Sequence, residues 1–80
     1  MNAEMQEIYN DLKTRYKAQV IGKKELAKEF GISLSTVDLY MAKGIGIPPY
    51  TRLGNSSNSR VVFTIYSVAE YLSANQIQTQ

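Results

Sequence analysis

The stretch from Lys23 to Pro48, KKELAKEFGISLSTVDLYMAKGIGIP, constrains this chain more than any other. Its apolar residues fall on one face of each of two short helices. Leu26, Ala27 and Phe30 recur at i, i+1 and i+4, and Val37, Tyr40 and Met41 at i, i+3 and i+4. Between them stands Gly31-Ile32-Ser33. Gly31 suits the positive φ that closes a helix. Ser33 can cap the next helix by accepting the amide of Ser35 or Thr36. Ala27 is small where two helices would cross closely. Gly44 follows Lys43 as a C-terminal stop, and Pro48-Pro49 keeps the helix from resuming. Helices over about 23–30 and 34–43, meeting at a tight corner, are expected.

This corner has the helix-turn-helix pattern, in which the first helix presents the second to the major groove of DNA. An ordinary helical hairpin in a small core fits the same apolar spacing. The 80 residues make one domain, which buries roughly 60–65% of its unfolded surface and has no room for a deep substrate cavity. The net charge of +2 suits a nucleic-acid partner without requiring one. The chain has no cysteine and no histidine. A disulfide framework, a Cys/His zinc site and imidazole acid–base chemistry are therefore excluded. No apolar run approaches the roughly 20 residues that span a bilayer, and MNAEMQEIYND is too acidic for a signal peptide. A soluble cytoplasmic protein is expected, with no membrane association, no cofactor, no metal and no enzymatic activity.

Residues 3–18 read as an amphipathic helix, with Met5, Ile8, Tyr9, Leu12 and Tyr16 on its apolar stripe. Glu4, Glu7 and Asp11 precede Lys13, Arg15 and Lys17, an order that complements the helix dipole. Those three cations serve a solvated face, or meet a phosphate backbone or a neighbouring protomer. Val20-Ile21-Gly22 reads as a short connector, with an extended path as an alternative. Tyr50–Leu53 and Arg60–Phe63 read as two strands joined by the turn-forming run Gly54–Ser59. Thr64 can cap a last helix over about 65–74, whose buried stripe is Ile65, Val68, Ala69 and Leu72. The tail, 75–80, is polar and expected to be flexible. The fold class expected is mainly α with a small β-hairpin: a winged helix-turn-helix over 21–74, preceded by an N-terminal amphipathic helix within 1–20. The N-terminal helix is expected to pack on its own domain; pairing with another chain is the alternative.

The segment from Lys23 to Leu72 resembles the small DNA-binding domains of the AlpA-like and excisionase-like group, related to the MerR winged-helix domains. The residues that carry the resemblance are Glu25-Leu26-Ala27, Phe30-Gly31-Ile32-Ser33, Ser35-Thr36-Val37, Lys43-Gly44, Ile47-Pro48, Arg52-Leu53-Gly54, Arg60-Val61-Val62-Phe63 and Val68-Ala69-Glu70-Tyr71-Leu72. It leaves the N-terminal helix unexplained. The resemblance implies duplex DNA as partner, with the helix over 34–43 in the major groove. It implies a role as a recombination-directionality factor or a small transcriptional regulator, acting with an integrase or RNA polymerase and as a homodimer or cooperative array on DNA.

On that helix, geometry turns Leu34, Ser35, Asp38, Leu39 and Ala42 outward, with Thr36 and Lys43 at the margins. Ser35 and Thr36 can bond base edges or phosphates, and Leu34 or Leu39 can meet a thymine methyl. This face departs from the family's habit: it has no Arg, Asn or Gln for bidentate base pairing. Asp38 must accept from a cytosine amino group or restrain a basic neighbour. In the wing, Arg52 and Arg60 flank Asn55, Ser56, Ser57 and Asn58, which can approach a backbone or minor groove. Lys24 and Lys28 on the supporting helix can clamp phosphates. A solvated turn and a solvated helix face account for the same residues without DNA. A rival reading keeps the fold and turns Leu34, Asp38 and Leu39 toward another protein. Tyr9, Tyr16 and Tyr40 are expected in the core; Tyr50, Tyr66 and Tyr71 are expected to cover the hairpin and last helix.

Overall fold

In the computed structural model, residues 2–54 and 60–74 are described. They form α1 (Ala3–Tyr16), β1 (Val20–Gly22), α2 (Lys23–Phe30), α3 (Leu34–Lys43), β2 (Thr51–Leu53), β3 (Arg60–Thr64) and α4 (Ile65–Ala74). Four helices thus accompany one three-stranded antiparallel sheet, ordered β1-β3-β2. The expected flexible tail, 75–80, lies outside the described residues, as do Asn55, Ser56, Ser57 and Asn58.

Each helix boundary has a local cause. Asn2 caps α1 by accepting the Met5 amide at 2.7 Å. Ser33 caps α3 through the Thr36 amide at 3.1 Å. Thr64 caps α4 through the Ser67 amide at 2.9 Å. At the start of α2 the Glu25 carboxylate accepts the Gly22 amide at 2.8 Å. Gly31 ends α2 at φ 68°. The Ile32 amide there reaches back to the Ala27 carbonyl at 3.0 Å and the Gly31 amide to Lys28 at 3.3 Å, the paired bonds of a Schellman turn. Ile32 is partly buried against the core beside this turn. Gly44 closes α3 with the same pair of bonds, to Tyr40 and Met41.

The sequence reading needs four corrections. The small hairpin is two strands of a three-stranded sheet, because Val20–Gly22, read as a connector, pairs with β3. The partners are Val20 with Thr64, Ile21 with Phe63 and Gly22 with Val62. The expected boundary between residues 20 and 21 therefore falls inside β1. The first helix stops at Tyr16, not at residue 18, because Lys17 turns left-handed at φ 52°. Tyr50 lies outside the strand; β2 starts at Thr51, and the Tyr50 ring tilts against Phe63 at 5.6 Å between centroids. Tyr40 is half-buried and stands apart from the main core cluster. Its ring instead lies under Gly46, where an added Cβ would come within 2.9 Å of it.

The core joins every layer. Leu12 from α1, Ile21 from β1, Leu26 from α2, Val37 from α3, Phe63 from β3 and Val68 from α4 belong to one buried cluster. Each side chain of this size stabilises by about 1.5–3 kcal/mol when buried. The N-terminal helix packs on its own domain, as expected, with α4 as its main partner. Met5 and Leu12 of its stripe are buried, while Tyr9 and Tyr16 are partly buried against the same core. A second tie runs from α1 to α2. Arg15 donates to both Glu29 carboxylate oxygens, at 2.5 and 2.8 Å, and the Tyr16 hydroxyl donates to the same carboxylate. Arg15 also bonds Asp11, so this cation is held within the domain. Tyr71 covers the far end of α2, stacked on Phe30 at 6.0 Å. Among the described residues, no helix is long and apolar enough to cross a membrane.

Candidate nucleic-acid interface

The outward side of α3 and the strands β2 and β3 form the walls of one concave surface. It has two grooves. One is lined by Lys23, Asp38, Met41, Ala42, Tyr50, Arg52 and Val61. The other is lined by Gly22, Lys23, Lys24, Glu25, Leu34, Arg60 and Val61. Lys23 and Val61 line both, so the two grooves adjoin there. Helical spacing explains the α3 wall: Leu34, Asp38 and Ala42 recur at i, i+4 and i+8, one row along the helix.

Four cations meet two carboxylates here, and each carboxylate holds one hydrogen-bond partner. Glu25 accepts the Gly22 amide. Asp38 takes the Lys23 ammonium at 2.7 Å from Oδ1. Glu29, the remaining carboxylate on α2 and α3, is held by Arg15 and Tyr16. Arg15's hydrogen bonds keep Glu29 below the usual carboxylate range, against the opposing effect of burial. The Tyr16 hydroxyl titrates above its ordinary value, first through burial and then through its bond to Glu29. Among the described residues, Lys24, Lys28, Lys43, Arg52 and Arg60 form no ion pair. In the grooves, Lys24, Arg52 and Arg60 thus outnumber Glu25, the carboxylate there that has no ion pair among the described residues.

The two hairpin arginines straddle the ribbon. Arg52 pairs across the sheet with Val61, and Leu53 with Arg60. Successive residues of a strand point to opposite faces, so Arg52 shares a face with Val61 and Arg60 takes the other. A ribbon of this kind offers a cation to a phosphate on either side of it.

Of the residues expected from sequence, Arg52 lines the first groove, and Lys24, Leu34 and Arg60 line the second. Lys28, Ser35, Thr36, Leu39 and Lys43 line neither groove. Ser35, Leu39 and Lys43 form an adjoining exposed row on α3, and Lys28 lies one turn after Lys24 on α2. The Thr36 hydroxyl is within 2.9 Å of the Ser33 hydroxyl and is half-buried, so it is partly committed to the cap. Asn55, Ser56, Ser57 and Asn58 lie outside the described residues.

The sequence reading placed Asp38 and Ala42 on the outward face of α3 but left out Lys23, Met41, Tyr50 and Val61 from this surface. Met41 and Val61 carry dual roles, touching the core and lining the groove, and apolar periodicity reports only the first. Lys23 could have been found through Asp38, for which restraining a basic neighbour was one of two expected roles. Among the described residues, no three metal-ligating side chains converge. Comparison with known proteins finds no matching family model, no matching curated protein and no matching solved structure.

Proposed function

We propose that this chain is a small winged helix-turn-helix protein that binds duplex DNA, of the AlpA-like and excisionase-like kind that its sequence resembles. The observation that carries this reading is the pair of grooves: α3 and the hairpin arginines line them, and four cations there outnumber two carboxylates. The order of elements supports the winged reading. A strand before α2 joins the β2–β3 hairpin, and the hairpin stands beside the outward face of α3. In this reading α3 enters the major groove, while Arg52 and Arg60 grip backbone phosphates from the wing. Lys24, Lys28 and Lys43 add phosphate contacts. The protein then acts architecturally, as a recombination-directionality factor or a small transcriptional regulator. Its copies bend DNA or line up along it and so bias an integrase or RNA polymerase.

A gel-shift titration against random duplex at low and high salt tests this. With four or five phosphate contacts, log affinity should fall against log salt with a slope of about −4. Absence of salt-dependent binding at micromolar protein would refute it. One observation favours a second reading, a protein-interaction module: Leu34 is 45% exposed and Leu39 49%. Under that reading the same titration shows no shift at either salt.

A further inference from the structure

We infer that Asp38 selects cytosine at one position of the bound duplex, through the cytosine amino group in the major groove. This rests on the duplex-binding reading above. Asp38 is the only charged residue among the outward-facing positions Leu34, Ser35, Asp38, Leu39 and Ala42. An ionised carboxylate only accepts hydrogen bonds. Cytosine presents an amino donor in the major groove, whereas guanine N7 and O6 and thymine O4 are acceptors that repel a carboxylate.

The site is arranged to make a carboxylate tolerable there. Asp38 stands in mid-helix, one turn from Leu34 and one turn from Ala42, in the groove that Arg52 also lines. Its side chain is 55% exposed. Lys23 from the start of α2 neutralises Oδ1 at 2.7 Å, and among the described residues Oδ2 has no hydrogen bond. One oxygen is therefore anchored and offset in charge, and the other is open to a donor. Lys23 acts as a positioning residue: it fixes the carboxylate and lowers its repulsion toward phosphates.

A purely structural ion pair between α2 and α3 would not care which base lies beside it. The discriminating experiment is selection from a duplex pool with a randomised core, comparing the wild-type chain with Asp38→Asn and Asp38→Ala. The wild-type chain should enrich cytosine at one position by about 5- to 100-fold over the disfavoured bases. Asp38→Asn should move the preference at that position to adenine, whose N6 and N7 suit an amide. Asp38→Ala should lose preference there and hold random duplex several-fold more tightly, because one negative charge is gone. Both variants change an exposed side chain, and matching circular dichroism verifies that they fold. Recovery of the same base at every position by wild type and Asp38→Asn overturns the role of Asp38 and leaves duplex binding standing. Salt-insensitive failure of the wild-type chain to retain any duplex overturns both.

Discussion

Glu29→Gln removes the charge at the joint between α1 and α2 while keeping the shape of the side chain. In the native chain this carboxylate receives two hydrogen bonds from Arg15 and one from Tyr16. The Glu29 side chain is 11% exposed and that of Arg15 45%. A fully exposed ion pair would be worth about 0–1 kcal/mol, and a sheltered hydrogen bond to a charged group about 1.5–3 kcal/mol. The pair lies between these limits, and Arg15 retains Asp11 after the substitution. The expected loss near neutral pH is about 1–2 kcal/mol. At about 4–8 °C per kcal/mol for a domain of this size, Tm falls by about 4–16 °C. The pH dependence has a definite sign. Arg15 depresses the folded pKa of Glu29, so its contribution is complete above the unfolded value, about 4.3. It is lost as pH drops through the lower folded value. The melting curves of the two proteins should therefore differ at neutral pH and draw together in acid. Thermal unfolding followed by circular dichroism at a series of pH values checks both points. Equal Tm at neutral pH, or a gap that persists unchanged into acid, would refute the role assigned to Glu29.

Three further outcomes are expected. Replacing Arg52 and Arg60 together by Ala should weaken duplex binding and make the salt slope shallower by about 2, at roughly 0.9 per phosphate contact; an unchanged slope in the gel-shift titration excludes the wing from the grip. Gly46→Ala should cost about 1–3 kcal/mol in urea unfolding, because φ is 82° and the new Cβ would meet the Tyr40 ring at 2.9 Å. Phe63→Ala empties the centre of the core at a cost of about 3–5 kcal/mol, enough to leave a chain of this size largely unfolded in far-ultraviolet circular dichroism at room temperature.

The helices were legible because their signals are local. Ser33 and Thr64 are caps, Gly31 and Gly44 are stops, and the apolar spacing of each helix lies within a few turns. The strand β1 was legible only as a connector that could be extended, and its pairing was not. Three residues are too few to show a period of two, and what makes Val20–Gly22 a strand is Val62–Thr64, some forty positions away. The same distinction runs through the candidate site. Lys24, Leu34, Arg52 and Arg60 announce themselves by type and position. Lys23 becomes part of the surface only when α2 and α3 cross and bring it to Asp38. Arg15 was readable as a cation on the first helix, but its partner Glu29 belongs to another element, so sequence alone could not tell a solvated charge from a committed one.

The place of β3 has a consequence for the order in which the molecule can assemble. It is the last strand in the chain and the middle strand of the sheet, between β1 and β2. The helix that follows it is the main partner of the first helix. During synthesis, then, the corner formed by α2 and α3 emerges before the strand that links both edges of the sheet. Until Arg60–Ala74 has been made, β1 has no strand to pair with and the stripe of α1 has no helix to cover it. The candidate surface and the scaffold are completed in one late step. A truncated chain that stops short of Arg60 should therefore be a target for proteolysis rather than a weaker version of the whole.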